Sequence, residues 1–320
     1  MTREQSYALA FEKQRNTLSY KTAAQSQLIE NLTAQNAEFA GVNSRLSALG
    51  ARLAITALSS DGKALSALQS EMTDLSAKRN AILKSAGIGD IAYDCNKCQD
   101  TGYINGKICD CIHTAAKQLL INDLSSSLPL EKCRFENFDL NYYQTTDDSL
   151  GNPRKRMTQI LKLCREYTIS FDPHISGSLL FMGNTGLGKT HLTLAIVYEL
   201  LNRGFDVIYG SSYNLFGEME TEHFKQHTNT SYTAAINCDL LVIDDLGGEF
   251  VSPYIQSLLY NVINTRDLSG KPTIINTNLT MSEIAERYTP RVASRLIKYT
   301  AKKFIGNDIR QLKAIEKQSV

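Results

Sequence analysis

Apolar positions follow two regimes along this chain. In the first 87 residues they recur at helical spacing: Leu65, Leu68, Met72, Leu75 and Ile82 follow one another at three- and four-residue steps, with Arg79 in the one polar slot. A seam of that period lies along one face of a helix and suits a coiled coil. Leu46, Leu49 and Leu53 form a shorter stripe, and Ser59-Ser-Asp-Gly62 between the two reads as a helix–helix turn. The region is rich in Ala, Gln, Leu, Ser and Lys, and no proline precedes Pro129, which favours long helices. A helical hairpin or antiparallel coiled coil is predicted, with the stripes packing mainly on each other.

The second regime begins near Arg154. Short apolar runs at Leu179–Met182, Asp206–Tyr209, Leu240–Asp244 and Thr273–Asn276 alternate with helical stretches, which predicts βαβ crossovers and a parallel sheet. Between the regimes lie a cysteine-rich stretch from Tyr93 to His113, a short helix near Thr114 to Leu124, and a loop-like run containing Leu128-Pro129 and Asp147-Asp-Ser. The predicted domains are a helical region over 1–90, a cysteine module over 91–125, a linker over 126–152 and an α/β domain over 153–320. Neither an internal repeat nor a low-complexity tract is present.

Gly183-Asn184-Thr185-Gly186-Leu187-Gly188-Lys189-Thr190 fits G-x-x-x-x-G-K-[ST] without a gap. Its glycines let successive backbone N–H groups turn inward around a polyphosphate. Lys189 supplies a point charge for the β- and γ-phosphates, and the Thr190 hydroxyl is placed to ligate Mg²⁺. Ser178–Met182 reads as a buried strand leading in. His191, the next residue, opens a helix with apolar positions at Leu192, Ile196 and Leu200, so the phosphate would sit on a helix N-terminus. A Gly-rich turn without a ligand is the bland alternative, and it leaves the complete motif unexplained.

Leu240-Leu-Val-Ile-Asp244-Asp245 is an apolar strand ending in two acids. Asp244 is expected to hold Mg²⁺ through its waters, and Asp245 to orient or deprotonate the attacking water. Asn278, at the end of Thr273-Ile-Ile-Asn-Thr-Asn278, has two readings: a sensor bonded to the γ-phosphate or the water, or a cap for the helix after Leu279. From Arg287 to Lys313 there are eight Lys or Arg against one acid, Asp308. A solvated basic face competes there with an arginine reaching a neighbour's phosphate and with contacts to single-stranded DNA.

Cys95-Asn-Lys-Cys98 and Cys109-Asp-Cys111-Ile-His113 are two thiol pairs with Gly102 and Gly106 between them to turn the chain back. Such pairs suit tetrahedral zinc, with the four cysteines as first choice and His113 as the alternative to one of the last two. A redox pair would leave the second pair unexplained. Cys133, Cys164 and Cys238 read as packing residues, and His223 and His227 as exposed helix residues.

Composition narrows the picture modestly. At 320 residues, 42% hydrophobic, 21% charged and net charge +1, the chain is an ordinary globular protein without global attraction to nucleic acid. Seven cysteines, four of them clustered, suit a reducing compartment and a metal site rather than disulfides. No apolar run approaches 18 residues and the N-terminus is polar, so a cytoplasmic location and no membrane partner are expected.

These motifs resemble the bacterial replicative helicase loaders of the DnaC/DnaI family, which are AAA+ ATPases. The likeness rests on Gly-Asn-Thr-Gly-Leu-Gly-Lys-Thr-His-Leu, Ile-Asp-Asp-Leu-Gly, Asn-Thr-Asn-Leu and Arg291-Val-Ala-Ser-Arg295-Leu, with Arg134-Phe-Glu-Asn-Phe-Asp-Leu-Asn-Tyr-Tyr143 upstream. It covers about residues 130 to 313, and the cysteine module resembles the zinc-bearing N-terminal domain of the DnaI branch. The resemblance implies ATP, Mg²⁺ and Zn²⁺ as cofactors. It implies an N-terminal part that grips a hexameric replicative helicase, and an AAA+ domain that self-associates and binds ATP and single-stranded DNA. It places the trans-acting arginine at Arg291 or Arg295 and a second sensor at Arg310. Asp245 is one methylene shorter than glutamate, which suits slow, switch-like hydrolysis, a pattern the loaders share. An IstB-type transposition ATPase shares the core motifs but lacks the cysteine module. A zinc and coiled-coil adaptor with a nucleotide switch is the third reading.

Overall fold

The computed structural model describes residues 3–58, 62–127, 129–147 and 151–318. By its internal contacts the chain forms two compact units, one of residues 8–112 and one of residues 1–7 with 113–320.

In the unit of 8–112, helix α1 (Arg3–Gln35) breaks at Asn36, whose side-chain Oδ1 accepts the Phe39 N–H at 2.9 Å and caps α2 (Ala37–Leu58). Helix α3 (Gly62–Ser85) runs antiparallel to α2, with ion pairs Lys78–Glu38 and Arg45–Glu71 across them. Phe39, Val42, Leu49 and Leu68 are buried along the seam, whereas Met72 stays exposed. The polar slot has a partner: Arg79 donates to Asn43 Oδ1 at 2.9 Å and stands over the Phe39 ring. The turn expected at Ser59-Ser-Asp lies outside the described residues. Strands β1 (Tyr103–Ile104) and β2 (Lys107–Ile108) form a hairpin whose Asn105 and Gly106 have φ +50° and +77°. That pair of positive angles matches strand twist in a two-residue turn.

Beyond residues 1–7, the other unit begins at His113, within α4 (Asp110–Ser127). Three of its later helices share one start: Asn152, Ser252 or Thr289 accepts a backbone N–H three residues on, and a proline follows at the first helical position. These helices are α5 (Pro153–Ile169), α9 (Pro253–Leu268) and α11 (Pro290–Leu296). The remaining ones are α6 (Lys189–Asn202), α7 (Ser212–Thr221), α8 (Thr230–Asn237), α10 (Met281–Arg287) and α12 (Ile309–Gln318).

Five parallel strands form the sheet: β3 (Leu179–Met182), β4 (Val207–Ser211), β5 (Leu240–Leu246), β6 (Thr273–Thr277) and β7 (Thr300–Lys303), in spatial order β4-β5-β6-β3-β7. Alternate side chains enter separate cores. Leu179, Phe181, Leu240, Val242 and Ile274 pack with α5 and α6, while Leu180, Leu241, Ile243 and Ile275 pack with α7 to α11. The α/β class with a parallel sheet and an N-terminal helical region is as the sequence predicts. β7 was missed, because Thr300-Ala-Lys-Lys sits on the edge with its side chains largely in water and carries no apolar run.

The stretch expected as a linker is packed instead. Leu130, Phe135, Phe138 and Tyr143 are buried in the α5–α6 core. Leu128 and Asp148-Ser149, read as loop, lie outside the described residues.

Candidate functional site

The register of β5 on β6 and β6 on β3 brings their C-terminal ends together, the usual place for ligand binding in such sheets. A cavity of about 800 Å³ opens there, lined by Thr185 to His191, Tyr209, Asp244, Asp245, Asn278 and Arg310 among others. Gly183 and Asn184, at the base of the loop, contribute their carbonyls to Lys189. The loop has no room for side chains at two points. A Cβ on Gly188, at φ +87°, would stand 2.8 Å from the Phe138 ring and 2.9 Å from the Tyr143 hydroxyl. One on Gly186, at φ +75°, would overlap the Asp308 carboxylate.

Lys189 is buried, and its ammonium donates to the Gly183 carbonyl at 2.6 Å, the Asn184 carbonyl at 2.8 Å and Asn278 Oδ1 at 2.6 Å. Burial pushes its pKa down, opposed by the charges of Asp244 and Asp245. Thr190 donates to Asp244, 3.0 Å from Oδ2. Asp244 is buried and also accepts from Asn276 Nδ2 at 2.7 Å, the Asp245 N–H at 3.0 Å and the Tyr209 hydroxyl at 2.5 Å. Burial and Asp244 push the Tyr209 hydroxyl up, so it stays a donor. Asp245 is exposed at φ +53°, and Asn278 donates to its Oδ1 at 3.3 Å. One amide therefore joins the loop lysine to the second acid. The helix cap proposed as its rival role belongs to Thr280, which forms a capping box with Glu283.

The upstream segment forms one wall. Tyr143 donates to the Leu187 carbonyl at 2.9 Å, His191 Nε2 lies 2.9 Å from the Arg134 carbonyl, and Phe138 packs edge-on against His191. Arg310 lines the cavity. Neither Arg291, which is exposed, nor Arg295, which lies over the Tyr260 ring, is among the cavity-lining residues.

In the unit of 8–112 the four thiols of Cys95, Cys98, Cys109 and Cys111 lie within 4.8 Å of one another. Cys95 and Cys109 are 3.8 Å apart and Cys98 and Cys111 3.6 Å. Four thiolates ~2.3 Å from a central ion stand ~3.8 Å apart, so the set fits tetrahedral zinc. Hydrogen bonding from the Cys98 backbone holds the Cys95 thiol at about 7, whereas burial pushes Cys111 up to about 12. The neighbouring thiols add to the rise at Cys111. His113, the alternative ligand, is not in this group; its Nδ1 lies 2.5 Å from the Tyr7 hydroxyl. Outside the ligands, Gln14 Nε2 of α1 lies 3.5 Å from Cys111 Sγ, and the buried Asp100 accepts from the Asp94 and Cys95 N–H groups and from Lys21.

Residues 125–297, more than half of the chain, match the family described as IstB-like ATP binding protein. The chain belongs to that family. Among its curated relatives is the replicative helicase loader DnaC of Escherichia coli K12, 29% identical over 170 residues that make up 52% of this chain and 63% of DnaC. Another is the IS5376 putative ATP-binding protein of Geobacillus stearothermophilus, 25% identical over 50% of this chain and 58% of that protein. A crystal structure of the DnaC helicase loader aligns over 53% of this chain and 98% of that one, with 23% identity and a TM-score of 0.45. The DnaC relative agrees with the resemblance to DnaC/DnaI loaders read from the motifs, and the chain spans just under two thirds of that relative.

The IstB-like stretch holds the phosphate loop, both acids, Asn278, Arg291 and Arg295. Arg310 and the cysteine centre fall outside it. Tyr209 lies in none of the sequence motifs; Asn276 and Tyr143 fall inside them, but their contacts to Asp244 and the Leu187 carbonyl come from sheet register and packing. Cys164 and Cys238 are buried as packing residues, but Cys133 lines the nucleotide cavity. His223 is exposed yet stacks on Tyr254, with ring centroids 5.2 Å apart and Phe224 beside them. Among the described residues no helix is long and apolar enough to cross a membrane.

Proposed function

We propose that this IstB-like protein is a slow ATPase that loads a hexameric replicative DNA helicase onto single-stranded DNA. On this reading residues 8–112 hold a structural zinc and grip the helicase, and the α/β domain binds ATP and DNA. The observation that carries it is the bridge Lys189–Asn278–Asp245, which ties the phosphate-binding charge to the acid beside the attacking water. The DnaC relative supports the loader role, and the four-thiol centre supports it over a bare transposition ATPase.

The residues divide the work as follows. Lys189 exchanges the Gly183 and Asn184 carbonyls for phosphate oxygens, a more favourable partner for a buried ammonium. Thr190 and Asp244 would hold Mg²⁺, which when bound neutralises charge on the phosphates. Asp244 is already fixed for this by Asn276 and Tyr209. Asp245 orients the water, and Asn278, released by Lys189, is free to turn to the γ-phosphate. Arg310 faces the same phosphates, while Arg291 or Arg295 reaches those of a neighbouring protomer. The exposed rings of His223 and Phe224 with Tyr254 offer faces on which bases of a single strand stack. The protein works in the cytoplasm.

The IS5376 relative matches over much the same share of the chain, so an IstB-like transposition ATPase is the second reading. Affinity capture from the native cell with the full chain, with and without ATP, separates them. The account expects a hexameric replicative helicase; recovery of a transposase in its place reverses the assignment.

A further inference from the structure

Glu249 lies four residues beyond Asp245 and is 4% exposed. Three donors from three segments converge on its carboxyl: the Ser212 hydroxyl at the start of α7, the Gly247 N–H at 3.2 Å, and the Tyr288 hydroxyl just after α10. The Glu249 carbonyl takes Arg287 Nη2 at 2.8 Å. Among the described residues no lysine or arginine forms an ion pair with the carboxyl. A buried carboxyl satisfied this way fixes the relative positions of the segments that donate to it.

Both ends of this network reach functional parts. The Ser212 hydroxyl also lies 2.9 Å from the Asp245 carbonyl, and with one proton it cannot serve both acceptors fully. Asp245 stands at φ +53°, a left-handed conformation uncommon for residues with a side chain, though aspartate adopts it more readily than most. Any shift of Asp245 when the phosphate site fills changes what Ser212 offers Glu249. At the far end Tyr288 is fully buried and is followed at once by Thr289 and Pro290, the start of α11 with Arg291 and Arg295. Close packing leaves such a network discrete alternatives rather than continuous adjustment.

We propose that Glu249 is a positioning residue that couples filling of its own phosphate site to the setting of α11, and so to the presentation of Arg291 and Arg295 to a neighbouring protomer. This rests on the nucleotide site proposed above.

Hydrogen exchange of the full chain, dilute enough to stay monomeric, tests it with and without a non-hydrolysable ATP analogue and Mg²⁺. In the wild type the analogue should slow exchange at residues 183–192 and change the rate at 288–297 by about fivefold. Tyr288→Phe keeps the ring and removes one donor; it should retain the change at 183–192 and lose the one at 288–297. Glu249→Gln, which sets an NH₂ against the converging donors, should do the same where it folds. A purely structural role alters baseline exchange but not the nucleotide-dependent difference. Tyr288→Phe keeping the change at 288–297, or a wild type protected at 183–192 alone, overturns the inference. A wild type without protection at 183–192 removes the nucleotide site itself, and this coupling with it.

Discussion

In the proposed function the chemistry turns on Lys189, whose buried ammonium is satisfied by two loop carbonyls and the Asn278 amide. Lys189→Ala should abolish nucleotide binding in a fluorescent ATP titration without altering folding, because the loop carbonyls can turn to water. Asn278→Ala should leave nucleotide affinity within a few fold but slow single-turnover hydrolysis about 10²-fold, the scale for losing one well-placed donor. An equal loss of affinity and rate would make Asn278 a binding group instead. The contiguous motif made Gly183 to Thr190 legible, and the strand ending in two acids exposed Asp244 and Asp245. Tyr209 and Glu249 were not legible, nor was the bond of Asn276 to Asp244. Their contacts run between strands and loops 32 to 39 positions apart and follow from register, which no local spacing encodes.

At the scale of elements, periodicity served where a segment buries one face and failed where it does not. The α2–α3 seam and four of the five sheet strands carry apolar patterns. β7 is a polar edge strand, and the segment from Leu130 to Tyr143 packs through Leu130 on one short 3₁₀ turn and through isolated aromatics, Phe135, Phe138 and Tyr143, that flank its two turns. The cysteine hairpin was readable because the thiol spacing and the turn glycines Gly102 and Gly106 are local signals. Its attachment to α1 through Gln14, Lys21 and Asp100 was not. That attachment makes a prediction. The purified protein should contain about one zinc per chain. Stripping it, or making Cys95→Ser with Cys98→Ser, should loosen the hairpin and the middle of α1 while the sheet unit keeps its nucleotide binding. Limited proteolysis with metal analysis reads this, and a zinc-free protein with an equally resistant hairpin would remove the metal.

For the whole molecule, the function proposed above has a zinc-stabilised helical unit grip a helicase while the α/β unit, of the IstB-like family, binds ATP and DNA. Arg291 and Arg295 fit this division, lying away from their own cavity where a neighbouring protomer can meet them. The most direct measurement is retention of the cell's replicative helicase on a covalently closed single-stranded DNA circle, where only a ring opened or assembled around the strand stays on after a salt wash. Wild-type protein with ATP should raise retention well above helicase alone, and the Lys189→Ala and paired-cysteine variants should not. Equal retention with and without the protein, or full stimulation by both variants, would contradict the account.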